Sequence, residues 1–273
     1  MQNFSHAISD IDHAERLFQE CGGTDLDYLR HHFPRYLATK RELCADTSLA
    51  PGTVVLDVGA HWLHQSTLYV MNQCSVVALD LPATFERPEV RAFAQAHGIT
   101  LLTETNLETA ASLDAVPDGS VDIVLFTEII EHITFNPVAL WKQIYRVMKV
   151  GGRIVVTTPN YYAAGGRAWK IGRFITGFGN GIDAADILST NTYGHHWKEF
   201  SLRELVYYFC VLSPDFDCIR QKHVREYFHG YSGNRIGRGL RSVLGIIPAL
   251  RAELYLEVQL KSKEHGITVV PHW

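Results

Sequence analysis

Apolar positions along the chain alternate between two patterns. Compact apolar runs at 53–58 (TVVLDV), 75–80 (SVVALD), 99–103 (ITLLT), 121–126 (VDIVLF) and 153–158 (RIVVTT) predict buried strands. Helical spacing falls between them, at 63–73, 86–97, 128–133 and 137–149. This alternation predicts the α/β class, a parallel sheet with helices on both faces. Helix 137–149 opens near Pro137 and closes at Gly151-Gly152, the usual asymmetry of helix ends.

Two regions depart from the rhythm. In 7–46, Leu26, Leu29, Phe33 and Leu37 recur at three and four, which predicts helix with a kink at Pro34. Residues 160–195 are rich in Gly, Tyr and Asn and show no period, as in a lid or substrate loop. Helix 202–209 follows, with Ser201 and Glu204 spaced as a capping box. The runs 216–219 and 252–260 predict a closing antiparallel pair, with Leu254, Leu256, Val258 and Leu260 on one face. The expected organisation is an N-terminal helical cap (1–50) and one domain (51–273) with an insertion at 160–200.

Composition narrows the class. The 273 residues are 47% hydrophobic and 20% charged, with a net charge of −4, so general affinity for nucleic acid is not expected. One stretch differs. Between Ile219 and Arg251, seven Lys/Arg (Arg220, Lys222, Arg225, Arg235, Arg238, Arg241, Arg251) face one acid, Glu226. That is either a solvated surface or a contact for an anionic or lipid-linked acceptor or a membrane surface. Five scattered cysteines without a C-x-x-C pair fit a reducing, cytoplasmic setting. The polar N-terminus does not read as a signal peptide, and no apolar stretch is long enough to span a membrane.

Candidate chemistry gathers where strands end. Asp57 ends the first strand and Gly59 sits at the sharp turn after it. Asp80 ends the second strand, where a carboxylate can accept both hydroxyls of a ribose. The G-x-G-x-x-G fingerprint is absent, which argues against nicotinamide or flavin chemistry. After the fourth strand come Glu128, Glu131 and His132, spaced to share one helical face. Two carboxylates and an imidazole there point to a divalent metal or an acid–base site.

The segments VVLDVGA (54–60), VVALDLP (76–82), DGSVDIVLFTEIIEHI (118–133) and LWKQIYRVMKVGGRIVVTTPN (140–160) resemble class I S-adenosylmethionine-dependent methyltransferases over roughly residues 50–212. The resemblance implies an enzyme on a Rossmann-like sheet of seven strands, mostly parallel with an antiparallel last strand, and S-adenosylmethionine as cofactor. Asp57, Gly59, Ala60 and His61 would frame its methionine end, Asp80 and Leu81 the ribose, and Asn106 and Leu107 the adenine, with Thr127 completing the set. Two departures stand out. The family pattern D-x-G-x-G-x-G is here Asp57-Val58-Gly59-Ala60-His61-Trp62-Leu63, so His61 and Leu63 replace glycines and the loop is expected to take another path. Asn106 replaces the usual Asp. His61, Trp62 and His64 either line the pocket or pack.

A narrower resemblance concerns E-x-x-E-H, which is similar to small-RNA 2′-O-methyltransferases and ubiquinone-pathway O-methyltransferases, where it accompanies a divalent metal. The RNA enzymes add a histidine before an aromatic-Ser/Thr capping box. In HHWKEFSLREL (195–205) that place belongs to His196, with His195 as the fallback. The implied ligands are Glu128, Glu131, His132 and His196, for Mn²⁺ or Mg²⁺. Glu131, His132 and His196 are also the implied catalytic groups. The acceptor implied is a vicinal diol. The turn GAHWLHQ and an insertion carrying Tyr161, Tyr162, Trp169 and Tyr193 resemble bacterial glycan-modifying enzymes, which suggests a sugar of a glycan or lipopolysaccharide. The alternatives are RNA ribose 2′-O-methylation and a non-catalytic binding protein that has lost the cofactor turn.

Overall fold

The computed structural model describes residues 2–46, 48–177, 181–224 and 243–272. Seven strands form one sheet: β1 (Val54–Val58), β2 (Ser75–Asp80), β3 (Thr100–Thr103), β4 (Val121–Thr127), β5 (Met148–Pro159), β6 (Phe216–Val224) and β7 (Glu253–Leu260), in the order β3-β2-β1-β4-β5-β7-β6. β1 to β5 pair in parallel, and β7 lies antiparallel between β5 and β6. The chain order reverses direction between β1 and β4, the switch point at which such sheets bind ligands. This is the Rossmann-like methyltransferase architecture that the four segments imply.

Helices cover both faces: α1 (Gln2–Glu20), α2 (Leu26–Leu43), α3 (His64–Val70), α4 (Pro82–Phe85), α5 (Pro88–His97), α6 (Val138–Val147), α7 (Ile171–Ile175), α8 (Ala184–Ser189) and α9 (Leu202–Leu212). Alternate strand residues divide the core. Val55, Ile123, Leu125, Val155 and Tyr255 pack with Phe18, Leu29, Phe33 and Leu68 of α1, α2 and α3. Leu56, Val124, Phe126, Val156 and Leu256 pack with Trp141, Ile144, Leu205 and Phe209 of α6 and α9. The N-terminal cap therefore covers one face of the sheet rather than hanging beside it. It breaks at Gly22-Gly23, both at positive φ, and α2 restarts where the Asp25 side chain accepts a hydrogen bond from Tyr28 N at 2.9 Å. Pro34 lies inside α2 without ending it.

Several expected bounds shift. The helix expected at 128–133 is a single 3₁₀ turn, Ile130–His132. Helix 137–149 stops at Val147, and β5 starts at Met148 because Met148 already pairs with Val121. β6 extends to Val224 rather than ending at 219, since its polar half pairs along β7. β7 keeps Leu254, Leu256, Val258 and Leu260 on one face, but Tyr255 and Glu257 on the other are buried too, as an interior strand requires.

The described members of the basic stretch have internal partners. Arg220 meets Glu257 at 3.3 Å and also pairs with Glu42 and Asp46, and Lys222 meets Glu42 at 2.5 Å. Arg251 donates to the His223 carbonyl at 2.9 Å. Arg225, Glu226, Arg235, Arg238 and Arg241 lie outside the described residues. Among the described residues, no helix is long and apolar enough to cross a membrane.

Candidate active site

The turn after β1 brings the ends of β1 and β2 together. Gly59 has φ +72, and a Cβ on it would sit 2.1 Å from Ile129 Cδ1, so any other residue would strain the backbone and push the Ile129 side chain aside. Gly59 N and Ala60 N both donate to the Leu79 carbonyl, at 2.9 and 3.2 Å. His61 and Leu63 stand where the family pattern has glycine. His61 (φ +47) and Leu63 (φ +65) both adopt the left-handed backbone that glycine takes readily. A non-glycine residue there costs about 1–2 kcal/mol. Tertiary contacts hold both. His61 N donates to Asp80 Oδ2 at 2.6 Å, and its ring lies 4.2 Å from Trp62 and 5.1 Å from Tyr28 of α2. Leu63 is fully buried.

Asp57 is buried beneath this turn and accepts from Ser66 Oγ at 2.6 Å. Burial raises its pKa to about 7, with the Ser66 bond opposing and Asp80 adding to the rise.

A cavity of about 500 Å³ opens over these strand ends. Asp57, Gly59, Ala60, His61, Asp80, Leu81, Leu107 and Thr127 of the expected cofactor set line it, and so does His64. Trp62 packs against His61 and Tyr28 and is not on the wall. Asn106, expected beside the adenine, is not on the wall. Its side chain caps its own loop, accepting from Glu108 N at 3.1 Å. Glu104 lines the wall instead and accepts from Asn106 N and Ser112 N, both at 2.9 Å. Burial raises the Glu104 pKa, but the bonds from Ser112 and Asn106 outweigh it, so the net shift is down and the carboxylate is held ionised. An acid just after β3 was a visible signal for Glu104. No local signal marks Tyr28, Arg35 and Tyr36, which α2 brings to the wall.

The acid–acid–histidine motif divides in two. Glu128 has φ +56, which ends the strand and turns its side chain toward the cap. It accepts from Thr157 Oγ1 at 2.8 Å and lies 3.3 Å from Arg35 Nη1. Glu131, one 3₁₀ turn on, is fully buried and accepts from Thr158 Oγ1 at 2.9 Å. Its other oxygen, Oε1, has no hydrogen-bond partner and lies 3.8 Å from His132 Nε2. Burial first, then Glu128, pushes the Glu131 carboxyl well above the carboxylate range.

His132 Nδ1 lies 2.9 Å from the His195 carbonyl, which it can satisfy only as the donor, leaving Nε2 bare. Burial and then His196 lower its pKa to about 4. The His196 ring stands perpendicular to it at 4.8 Å. One ligand atom each from Glu131, His132 and His196 lie within 4.8 Å of one another. Glu128, the fourth expected ligand, is outside this group and lies against Arg35, though it lines the same cavity. His195 is outside too, since its Nε2 bonds the Asp186 carbonyl at 2.9 Å. Trp197 N donates to the Glu131 carbonyl at 2.7 Å, which ties the insertion's end to the turn. Of the four insertion aromatics singled out, only Tyr193 lines the cavity.

Residues 56–156 match the family described as "Methyltransferase domain". The fold is similar to an S-adenosylmethionine-dependent methyltransferase from Mesorhizobium loti, at 16% identity and TM-score 0.56, covering 84% of this chain and 97% of that one. It is also similar to 1,6-didemethyltoxoflavin-N1-methyltransferase from Burkholderia thailandensis, solved with S-adenosylhomocysteine, at 15% identity and TM-score 0.53, covering 96% and 90%. A methyltransferase in complex with the Trm112 activator of Haloferax volcanii gives 14% identity and TM-score 0.59, covering 88% and 95%. No curated protein matches the chain. Residues 56–156 thus match a methyltransferase domain, and the chain has the Rossmann-like methyltransferase fold.

Proposed function

We propose that the chain methylates a hydroxyl of a vicinal diol, a sugar of a bacterial glycan or lipopolysaccharide, with a divalent cation held by Glu131, His132 and His196. One observation carries this reading: the buried, partnerless Oε1 of Glu131 beside the bare Nε2 of His132. A buried carboxylate oxygen without a donor is costly unless something positive meets it. One carboxylate and two imidazoles suit Mn²⁺ or Mg²⁺, and the absence of thiolates disfavours structural zinc.

S-adenosylmethionine supplies the electrophilic methyl, and a bound divalent cation supplies the acidity that makes an alcohol a usable nucleophile at neutral pH. The chain's own groups do the rest. Asp80 faces the cavity with a carboxylate that already holds the first turn through His61 N and retains lone pairs for ribose hydroxyls. Glu104 and Leu107 close the adenine end. The Arg35–Glu128 pair and Tyr28 wall the cap side and exclude water. His132, neutral and fixed by the His195 carbonyl, presents Nε2 as ligand or as the base for the acceptor's proton. The insertion 160–200 serves as the acceptor-binding part, with Tyr193 on the wall for a sugar face.

The test is calorimetric titration of Mn²⁺ into wild type, Glu131→Gln and His196→Ala. It is paired with methyl-transfer assays on sugars with and without adjacent hydroxyls and on an oligoribonucleotide. Metal binding that both substitutions abolish, with transfer confined to vicinal diols of sugars, supports the reading. Unchanged Mn²⁺ binding in the variants sinks the metal site. Preferred transfer to RNA overturns the sugar acceptor.

A further inference from the structure

Two enclosed polar side chains of the cavity wall each carry a nitrogen without a hydrogen-bond partner. His64 is 2% exposed and Gln65 6%, and both open α3 directly after the first turn. Gln65 Oε1 accepts from Thr127 Oγ1 of β4 at 2.8 Å, which leaves Nε2 as a donor. That nitrogen is buried and unpartnered, and the nearby Tyr69 hydroxyl is bare as well. His64 Nε2 lies 3.0 Å from Thr24 Oγ1, in the break between α1 and α2, and its Nδ1 is buried without a partner. Burial, with His61 beside it, lowers the His64 pKa to about 3, so the ring is neutral. When Nε2 accepts the Thr24 hydroxyl proton, Nδ1 carries the ring's hydrogen and becomes a donor. The Nδ1 of His61 is bare too, but that ring is less enclosed and lies against Trp62 and Tyr28.

We propose that His64 Nδ1 and Gln65 Nε2 bind the carboxylate at the methionine end of S-adenosylmethionine and so select the amino-acid half of the cofactor. The inference rests on S-adenosylmethionine being the cofactor and is independent of acceptor and metal. Buried donors without partners are costly, and an anion that meets both removes the cost. Charge along the strand ends gives the direction. Glu104, after β3, is held ionised and would repel a carboxylate. Asp80, at the end of β2, suits the ribose hydroxyls. The bare donors lie beyond it, beside β1 and β4, where the sheet order reverses. Arg35 also lines the cavity, but it faces Glu128 at 3.3 Å. Asp57 on the same wall offers carboxyl oxygens to the ammonium of the same zwitterion.

The test is calorimetry of wild type, Gln65→Met and His64→Phe with S-adenosylmethionine and with its decarboxylated form, which lacks only the carboxylate. Wild type is expected to bind S-adenosylmethionine at least about tenfold more tightly than the decarboxylated form. Each variant is expected to lose about tenfold in affinity for S-adenosylmethionine and to keep its affinity for the decarboxylated form within about threefold. Gln65→Met, of similar size, carries the test should His64→Phe not fold. Equal losses for the two ligands in Gln65→Met overturn the proposal, since they mark damage to the turn. Unchanged affinity for S-adenosylmethionine in both variants overturns it, as does a wild type that binds the two ligands equally. A wild type that binds neither overturns it together with the cofactor reading, and that outcome is distinct from the others.

Discussion

Glu128 turns its carboxylate to Arg35 of the N-terminal cap, 3.3 Å away, while Glu131 three residues on turns to His132. The two acids of one motif therefore do different work. One holds the cap over the cavity, and the other faces the imidazoles.

A direct contrast follows. Glu131→Gln is expected to weaken Mn²⁺ binding at least about tenfold, whereas Glu128→Gln changes it by less than about threefold and instead lowers the unfolding midpoint. Calorimetry and thermal melts read the two effects separately. Equal losses of metal affinity in both variants would return Glu128 to the ligand set.

Gly59→Ala tests the first turn. The added Cβ would overlap Ile129 Cδ1 at 2.1 Å and force a non-glycine residue to φ +72. Overpacking and backbone strain together are expected to cost about 2 kcal/mol or more and to reduce cofactor affinity. Pairing it with Ile129→Ala should restore the part of the loss due to the clash and leave the part due to φ. A full restoration would show that strain contributes nothing.

His61→Gly removes a ring and relieves a left-handed residue. The backbone bond to Asp80 survives, so S-adenosylmethionine affinity is expected to stay within about threefold of wild type. A loss of tenfold or more, measured by calorimetry, would mean that the imidazole itself touches the cofactor.

Asp57 gives the pH dependence a sign. Its folded pKa, raised to about 7 by burial, lies above the unfolded value near 3.9. Between those values the folded state binds the proton that the unfolded state has released. Stability from this group is therefore complete below about pH 4 and declines as pH rises through about 7. Urea unfolding of wild type and Asp57→Asn between pH 5 and 8 should show a falling contribution in wild type that the variant lacks. Parallel pH profiles would refute it.

The runs around Val55, Ile123 and Val155 were legible in the sequence because strands buried on both faces are apolar throughout. So were Asp57 and Asp80, the penultimate and last residues of two such strands. The residue types of the Glu128–His132 motif were equally visible. Their directions were not. A helical face was the natural reading of spacings of three and four, but one positive φ at Glu128 separated the acids.

Arg35 meeting Glu128 spans nearly a hundred residues, and no local pattern encodes so distant a contact. The same holds for His132 and His196, whose approach depends on how the insertion returns to the turn through Trp197 N. His61 and Leu63 make the point most sharply. Residue type alone argued against the left-handed turn. Burial of Leu63, the rings around His61 and the carboxylate of Asp80 supply enough contact energy to hold it. Local propensities of about a kilocalorie per residue direct strands and helices, and they yield where packing and buried hydrogen bonds outweigh them.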